Sequence, residues 1–172
     1  MRTLHFLSIF WLSISLSANP PVLNKDSITH PELGLEGMVV TQHYLASEVG
    51  EAILSKGGNA YDATIAVAFA LAVVLPRAGN IGGGGFTVLY NSSDESFQSL
   101  DYREKAPLAA SKNMYLDKNG DVISNLSTLG YKAIAVPGTV DGMWELHKRF
   151  GSMDWKELIL PSIKLAKEGF RV

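Results

Sequence analysis

Four consecutive glycines, Gly82 to Gly85, stand immediately before an apolar segment that begins at Phe86. A run without side chains lets another backbone or a ligand come close to the main chain. A phosphate-binding loop needs a strand before its glycines and a helix after them. Here a helical pattern precedes the run and a strand pattern follows it. The run therefore predicts a close passage beside a strand rather than a nucleotide site.

The periodicity of apolar residues predicts a mixture of helices and strands. We expect strands over 37–41, 86–90 and 97–102, helices over 44–56, 60–75, 140–150 and 155–167, and a tight turn at 118–120. Strands 86–90 and 97–102 should form an antiparallel hairpin on which the helices pack. Asn59 should cap the second helix, and Pro161 should kink or divide the last one. The expected fold class is α+β.

The first 18 residues have the features of a signal peptide. Arg2 precedes an apolar run over 4–16, and small residues follow at Ser17 and Ala18. A membrane span needs roughly 20 apolar residues, so export to the periplasm or the cell exterior is favoured over an uncleaved anchor. Residues 19–36 should form an extended leader, and 37–172 one domain. The net charge of −2 gives no indication of nucleic-acid binding, and the chain has no cysteine.

The common catalytic and metal-binding motifs do not occur. The chain contains no Gly-x-Ser-x-Gly, no cysteine nucleophile and no Ser-x-x-Lys. His30, His43 and His147 lack the spacing of a metal site. Residues 117–121 faintly resemble a calcium loop, but the glycine is at the fourth position rather than the sixth, so a hairpin is preferred. We therefore assign no catalytic residue, no metal and no cofactor to this chain.

Arg103, in the segment Asp101-Tyr102-Arg103-Glu104, allows two interpretations. It could form a solvated ion pair with a neighbouring carboxylate, which contributes little free energy. Alternatively, its planar guanidinium could bind a substrate carboxylate through two parallel hydrogen bonds, with Asp101 or Glu104 holding it in place. Spacing alone favours the ion pair, because most arginines lie at the surface.

Several motifs, in this order, resemble the γ-glutamyltranspeptidases (glutathione hydrolases), and their bacterial branch in particular. They are Gly58-Asn59-Ala60, Asp62-Ala63, residues 66–73, Gly79 to Phe86, Asp101 to Pro107, residues 114–117, Val136 to Val140, and 161–170. The resemblance covers 37–172. It implies the N-terminal-nucleophile hydrolase fold, an αββα sandwich, of which this chain would form the N-terminal portion of the large subunit.

The resemblance also implies a chemistry. Members of the family are proenzymes that cut themselves into two subunits, and the new N-terminal threonine attacks a γ-glutamyl amide to form an acyl-enzyme. Water or an amino acid then takes the γ-glutamyl group. The implied substrates are γ-glutamyl compounds such as glutathione, the implied partner is the small subunit, and Arg103 would bind the α-carboxylate. The threonine would lie outside this chain, so the chain alone is expected to be inactive.

Three alternatives stay open at this point. The chain could be a non-catalytic module that binds γ-glutamyl groups or amino acids, or part of an amidase like the cephalosporin acylases. It could also be an unfolded product that exposes the apolar 60–75 segment. Tyr61 and Asp141 stand where small apolar residues are expected, and neither is expected to touch the site.

Overall fold

The computed structural model describes residues 33–171. Contacts divide the chain after Leu35, and every helix and strand of the described residues lies in the second unit. These elements are α1 (Tyr44–Ser55), α2 (Ala60–Val74), β1 (Phe86–Asn91), β2 (Ser96–Asp101), a 3-10 helix (Tyr131–Ala133), α3 (Thr139–Phe150) and α4 (Trp155–Glu168). The signal peptide expected over 1–18, and the leader expected over 19–36 up to residue 32, lie outside the described residues. No helix among 33–171 is both long and apolar enough to cross a bilayer.

Helix α2 is the element around which the other helices pack. It contacts α1, α3 and α4. Ile65 and Phe69 join the main core together with Leu146 of α3 and Leu158 of α4. Because α2 has neighbours on several sides, its apolar residues extend around most of its circumference. The predicted helix over 60–75 is confirmed and ends at Val74.

A buried carboxylate fixes the start of α2. Asp62 is 0% exposed, and Asn59 and Asp62 form a reciprocal capping box. The Asp62 carboxylate also accepts hydrogen bonds from the N–H and hydroxyl of Ser152 and from the N–H of Met153, in the α3–α4 connection. The side-chain amide of Asn59 donates to the carbonyl of Phe150 at 2.8 Å. We call these five residues the Asp62 node.

The pKa of the Asp62 carboxyl reflects this environment. Burial by itself raises the pKa, because it disfavours the charged form. Hydrogen bonds from the Ser152 hydroxyl and from the N–H groups of Asn59, Ser152 and Met153 outweigh burial, and the pKa lies below its ordinary value. The node is therefore a satisfied, ionised cap.

Strands β1 and β2 form an antiparallel hairpin whose register pairs Phe86 with Asp101 and Asn91 with Ser96. The predicted hairpin is confirmed. On one face, Leu89 packs into the helical core. The opposite face exposes the large apolar side chains Phe86, Val88, Tyr90 and Phe97. One side of this small sheet is thus covered by helices and the other is open.

The expectation of a buried strand over 37–41 is wrong. The segment forms no strand, and most of it is exposed. Strands are held by hydrogen bonds to a neighbouring strand. Within residues 33–171 the β1–β2 hairpin is the only sheet, and it does not include this segment.

Of two other expectations, one holds in modified form, and the expected division of the last helix does not occur. The 118–120 turn is present, with Gly120 at φ 89°, but a single antiparallel bridge between Leu116 and Val122 replaces the expected pair of strands. Helix α4 continues through Pro161 and is not divided there.

Candidate functional site

Arg103 lies two residues beyond the end of β2, and its side chain is exposed. The backbone N–H of Arg103 donates to Asp101 Oδ1 at 3.0 Å. The guanidinium carbon Cζ lies 5.9 Å from the centroid of the Phe86 ring. At that distance a cation is attracted to an aromatic face. A guanidinium held over a ring keeps its edge N–H groups available for a planar carboxylate.

The ion pair that spacing alone favoured is not formed. Among residues 33–171, the side chains within ion-pair distance are Glu145 with Lys148 and Glu145 with Arg149. Neither Asp101 nor Glu104 pairs with the Arg103 guanidinium in this part of the chain. The charge of Arg103 is therefore not neutralised by another described side chain.

The backbone around Arg103 passes close to two glycines. A Cβ on Gly84 would lie 2.5 Å from the carbonyl oxygen of Tyr102 and 2.7 Å from the Cα of Arg103. A Cβ on Gly138 would meet the same Tyr102 carbonyl even more closely. We call this arrangement of Gly84, Gly138 and residues 102–104 the Arg103 slot. It confirms the prediction that the glycine run is a close passage for another backbone.

Backbone hydrogen bonds join the segments next to the slot. Lys105 and Val136 exchange two N–H···O bonds of 3.1 and 2.8 Å. The carbonyl of Gly83 accepts from the N–H of Gly138 at 2.7 Å and from that of Thr139 at 3.1 Å. These two N–H groups at the start of α3 are therefore already bonded.

Tyr102, which is part of the slot, also contacts α3 and β1. A Cβ on Gly142 of α3 would collide with the Tyr102 ring, so the ring packs directly on the helix backbone. The Tyr102 hydroxyl accepts from Thr87 Oγ1 of β1 at 3.3 Å. The end of β2 is thus held against both β1 and α3.

A hollow of about 360 Å³ adjoins the slot. Arg103 and Lys105 line it with positive charge, and Asp101, Asp141 and Glu145 line it with negative charge. The expectation that Asp141 lies away from the site is wrong, because Asp141 borders the same hollow as Arg103. A cavity with both charge signs on its wall is suited to a polar or zwitterionic molecule.

No cluster of three or more metal-ligating side chains occurs within residues 33–171. The histidines of this region have structural contacts instead. His43 accepts from the N–H of Leu45 at the start of α1, and His147 Nε2 lies 2.9 Å from the carbonyl of Met153.

Sequence analysis did not connect Tyr102, Gly138 or Thr139 with Arg103 in space. The segment Pro137-Gly138-Thr139 was recognised only as part of a motif. Its role depends on the return of the chain to β2 after a long connection, which local patterns do not encode. A glycine directly before a helix start, where a side-chain cap is usual, was the one available signal.

Comparisons with known proteins agree on one family. The family model described as gamma-glutamyltranspeptidase matches residues 46–172. The glutathione hydrolase proenzyme of Pseudomonas aeruginosa is 56% identical over 136 residues, which cover 79% of this chain and 24% of that protein. The corresponding proenzyme of Bacillus subtilis is 44% identical over 157 residues, covering 90% and 27%.

A solved structure gives the same result. The chain is similar to the gamma-glutamyltranspeptidase of Helicobacter pylori, with a TM-score of 0.76 and 51% identity over 81% of this chain and 40% of that one. The chain therefore spans about a quarter of the length of the curated relatives it matches.

Proposed function

The chain belongs to the γ-glutamyltranspeptidase family, and we propose that it supplies the α-carboxylate binding site of an enzyme that cleaves γ-glutamyl amides. The observation that carries this proposal is Arg103. Its backbone is enclosed in the Arg103 slot, while its guanidinium is exposed and unpaired among the described residues. A fixed backbone with an available cation is the arrangement that binding a small anion requires.

The chemistry of the guanidinium favours a carboxylate ligand. Arginine presents a planar set of N–H donors that matches the two oxygens of a carboxylate, and it stays charged at any physiological pH. Phe86 lies within cation–π distance of the guanidinium and does not occupy those donors. A lysine in the same place would provide a point charge and lose the bidentate geometry.

The remaining steps of the reaction are assigned to a longer proenzyme. The matching relatives are named as proenzymes and are about four times as long as the matched segment. We propose that self-cleavage yields a small subunit whose N-terminal threonine attacks the γ-carbonyl and releases the amine. Water or an amino acid then takes the γ-glutamyl group from the acyl-enzyme. Glutathione is the expected donor, and no cofactor enters these steps.

The fold proposed for the complete protein is the αββα sandwich. Its support in this chain is the β1–β2 hairpin, which helices cover on one face only. On the other face, Val88 is 77% exposed and Phe97 is 76% exposed. Apolar faces of this kind are normally covered by a second sheet. Hydrogen exchange of β1 should therefore be slower in a complete proenzyme than in the 172-residue chain. Equal exchange rates in the two would argue against the sandwich.

The test uses a chimeric proenzyme, in which residues 37–171 of this chain replace the matching segment of the Pseudomonas aeruginosa relative. Two substrates are compared: γ-glutamyl p-nitroanilide and 4-aminobutyryl p-nitroanilide, which lacks only the α-carboxylate. For Arg103→Ala, kcat/KM on the γ-glutamyl substrate should fall by about 30- to 1,000-fold, equivalent to about 2–4 kcal/mol. Activity on the decarboxylated analogue should be unchanged, because it has no carboxylate to lose.

A neighbouring cation provides the matched control. Lys105 borders the same hollow, so Lys105→Ala removes an equal charge from the same region. It should leave the ratio of the two substrates within about twofold, since only Arg103 is proposed to contact the carboxylate. If Arg103→Ala lowers both substrates equally, Arg103 is structural and the proposed function fails.

The two rival functions give distinct results in the same assays. An amidase like the cephalosporin acylases would cleave the decarboxylated analogue as well as the γ-glutamyl substrate in the unsubstituted chimera. A non-catalytic binding module would bind L-glutamate when the 172-residue chain is titrated alone. Neither outcome is expected if Arg103 acts with the rest of a proenzyme.

We also propose export of the protein. The support is the charged, apolar and small-residue pattern of 1–18. N-terminal sequencing of the mature product from a bacterial periplasm should show that the chain begins directly after Ser17 or Ala18. A product retained with Met1 would contradict cleavage.

A further inference from the structure

Two polar side chains that are distant in sequence meet behind the glycine run. The hydroxyl of Thr139, at the start of α3, donates to Asn80 Oδ1 at 2.6 Å. The same Asn80 oxygen accepts from the N–H of Gly83 at 2.9 Å. Thr139 is only 6% exposed, so water does not readily replace this hydrogen bond.

The Gly83 peptide is bonded on both of its sides. Its N–H binds Asn80, and its carbonyl accepts from the N–H groups of Gly138 and Thr139. Asn80, Gly83 and the start of α3 therefore form a closed ring of four hydrogen bonds. Members of such a ring restrain one another more than isolated bonds do.

The ring adjoins the two walls of the Arg103 slot, which are Gly84 and Gly138. Gly84 follows Gly83 directly, and Gly138 precedes Thr139 directly. A Cβ on either glycine would meet the carbonyl of Tyr102, and one on Gly84 would also meet the Cα of Arg103, so both glycines lie close to this backbone. A change in the separation of the walls must therefore move the backbone that carries the guanidinium.

We propose that Asn80 and Thr139 are positioning residues for Arg103. Their hydrogen bond fixes the spacing of the slot walls, and this spacing directs the guanidinium toward the substrate carboxylate. The inference rests on the proposed function, because it concerns the affinity of the same carboxylate site. Neither side chain is required to touch the substrate.

The test is Thr139→Val in the chimeric proenzyme, which removes the hydroxyl and keeps the shape. KM for γ-glutamyl p-nitroanilide should rise about three- to tenfold, with kcat within about twofold, because a misdirected guanidinium weakens carboxylate binding. Kinetics on the 4-aminobutyryl analogue should not change. Thr139→Ser restores the hydroxyl and should recover at least half of the effect on KM.

Thr64→Val is the matched control. Thr64 Oγ1 also donates a hydrogen bond, to Ala60 within α2, but Thr64 does not belong to the ring of hydrogen bonds around Gly83. This variant should leave KM unchanged on both substrates.

A second variant covers the case in which Thr139→Val fails to fold. Asn80 is half-buried in a loop, and Asn80→Ala removes the same hydrogen bond from the other side, together with the one that the N–H of Gly83 donates. It should show the same selective rise in KM. Where both variants fold, the double variant should be no worse than the more affected single one, because both remove one shared interaction.

The outcomes separate this inference from the proposed function. If Arg103→Ala lowers activity only on the γ-glutamyl substrate but neither Thr139→Val nor Asn80→Ala does so, the inference is wrong and the proposed function stands. If Thr139→Val and Asn80→Ala lower activity on both substrates equally, the role of these residues is structural and the inference is also wrong. If Arg103→Ala itself is not selective, the proposed function and this inference fail together.

Discussion

The Asp62 node and the Arg103 slot each hold a charged residue, but they treat its charge in opposite ways. Asp62 is fully buried, and its carboxylate accepts hydrogen bonds from three residues. Arg103 is exposed, and no described carboxylate pairs with it. A buried charge must have its hydrogen bonds satisfied within the protein. A charge that binds a ligand must keep them available.

The means of support differ as well. In the node, side-chain oxygens hold the ends of helices together. In the slot, glycines let three stretches of backbone come close together, and the side chain of Arg103, the proposed carboxylate ligand, projects from them. Damage to the node should therefore appear mainly in the free energy of unfolding, and damage to the slot mainly in substrate affinity.

Replacement of the node carboxylate is expected to have the largest effect. Asp62→Ala leaves the N–H groups of Asn59, Ser152 and Met153 without their acceptor and removes one half of the capping box of α2. The free energy of unfolding of the chimeric proenzyme, measured in urea, should fall by about 3 kcal/mol. The preference for γ-glutamyl over 4-aminobutyryl p-nitroanilide should not change in the fraction that remains folded.

Asp62→Asn is the matched variant for this experiment. It keeps one acceptor oxygen and the shape, so it should lose less stability than Asp62→Ala. A loss below about 1 kcal/mol for Asp62→Ala would show that water replaces the carboxylate and that the node is not a stabilising centre. A change in substrate preference would remove the distinction between the two regions.

An added methyl group in the slot is expected to have the next largest effect. Gly138→Ala places a Cβ against the Tyr102 carbonyl, which belongs to the backbone and cannot rotate away. Overpacking of this kind should cost about 1–3 kcal/mol of stability. It should also raise KM for the γ-glutamyl substrate, because residues 102–104 must shift.

The glycine run itself supplies the control for that variant. A Cβ on Gly82 would meet no atom within 4 Å, and Gly82 is not among the glycines of positive φ. Gly82→Ala should therefore leave both stability and KM close to those of the parent. If Gly138→Ala lowers stability and leaves KM unchanged, the slot does not position Arg103.

The features that sequence analysis predicted correctly depend on neighbouring residues. Asn59 reaches the N–H groups two and three residues ahead, and the hairpin joins adjacent strands. Local chemistry is sufficient for each of them. The same is true of the close passage at the glycine run, because the absence of side chains is visible in the sequence.

The features that it did not predict depend on residues far along the chain. The 37–41 segment has the composition of a strand, but no described strand lies beside it. The contact of Gly138 with Tyr102 requires residues 106–137 to bring the chain back to β2. Arg103 could be proposed as a carboxylate ligand from its residue type and motif, whereas the hydrogen bond between Thr139 and Asn80 is visible only in three dimensions.

The smallest expected effect is the acid dependence of the node. The pKa of Asp62 is lower in the folded protein than its ordinary value of 3.8. The contribution of Asp62 to the free energy of unfolding is therefore complete above pH 3.8 and is lost as the pH falls through the folded pKa. The slope of this loss is at most about 1.4 kcal/mol per pH unit.

Urea unfolding between about pH 5 and about pH 3 should show this slope in the parent and a shallower one in Asp62→Asn. Asp117 also has a lowered pKa, from N–H groups of an exposed turn, so Asp117→Asn shows how much of the slope an exposed carboxylate contributes. Equal slopes in the parent and Asp62→Asn would mean that the buried carboxylate does not link folding to pH, and the contrast with Arg103 would then rest on burial alone.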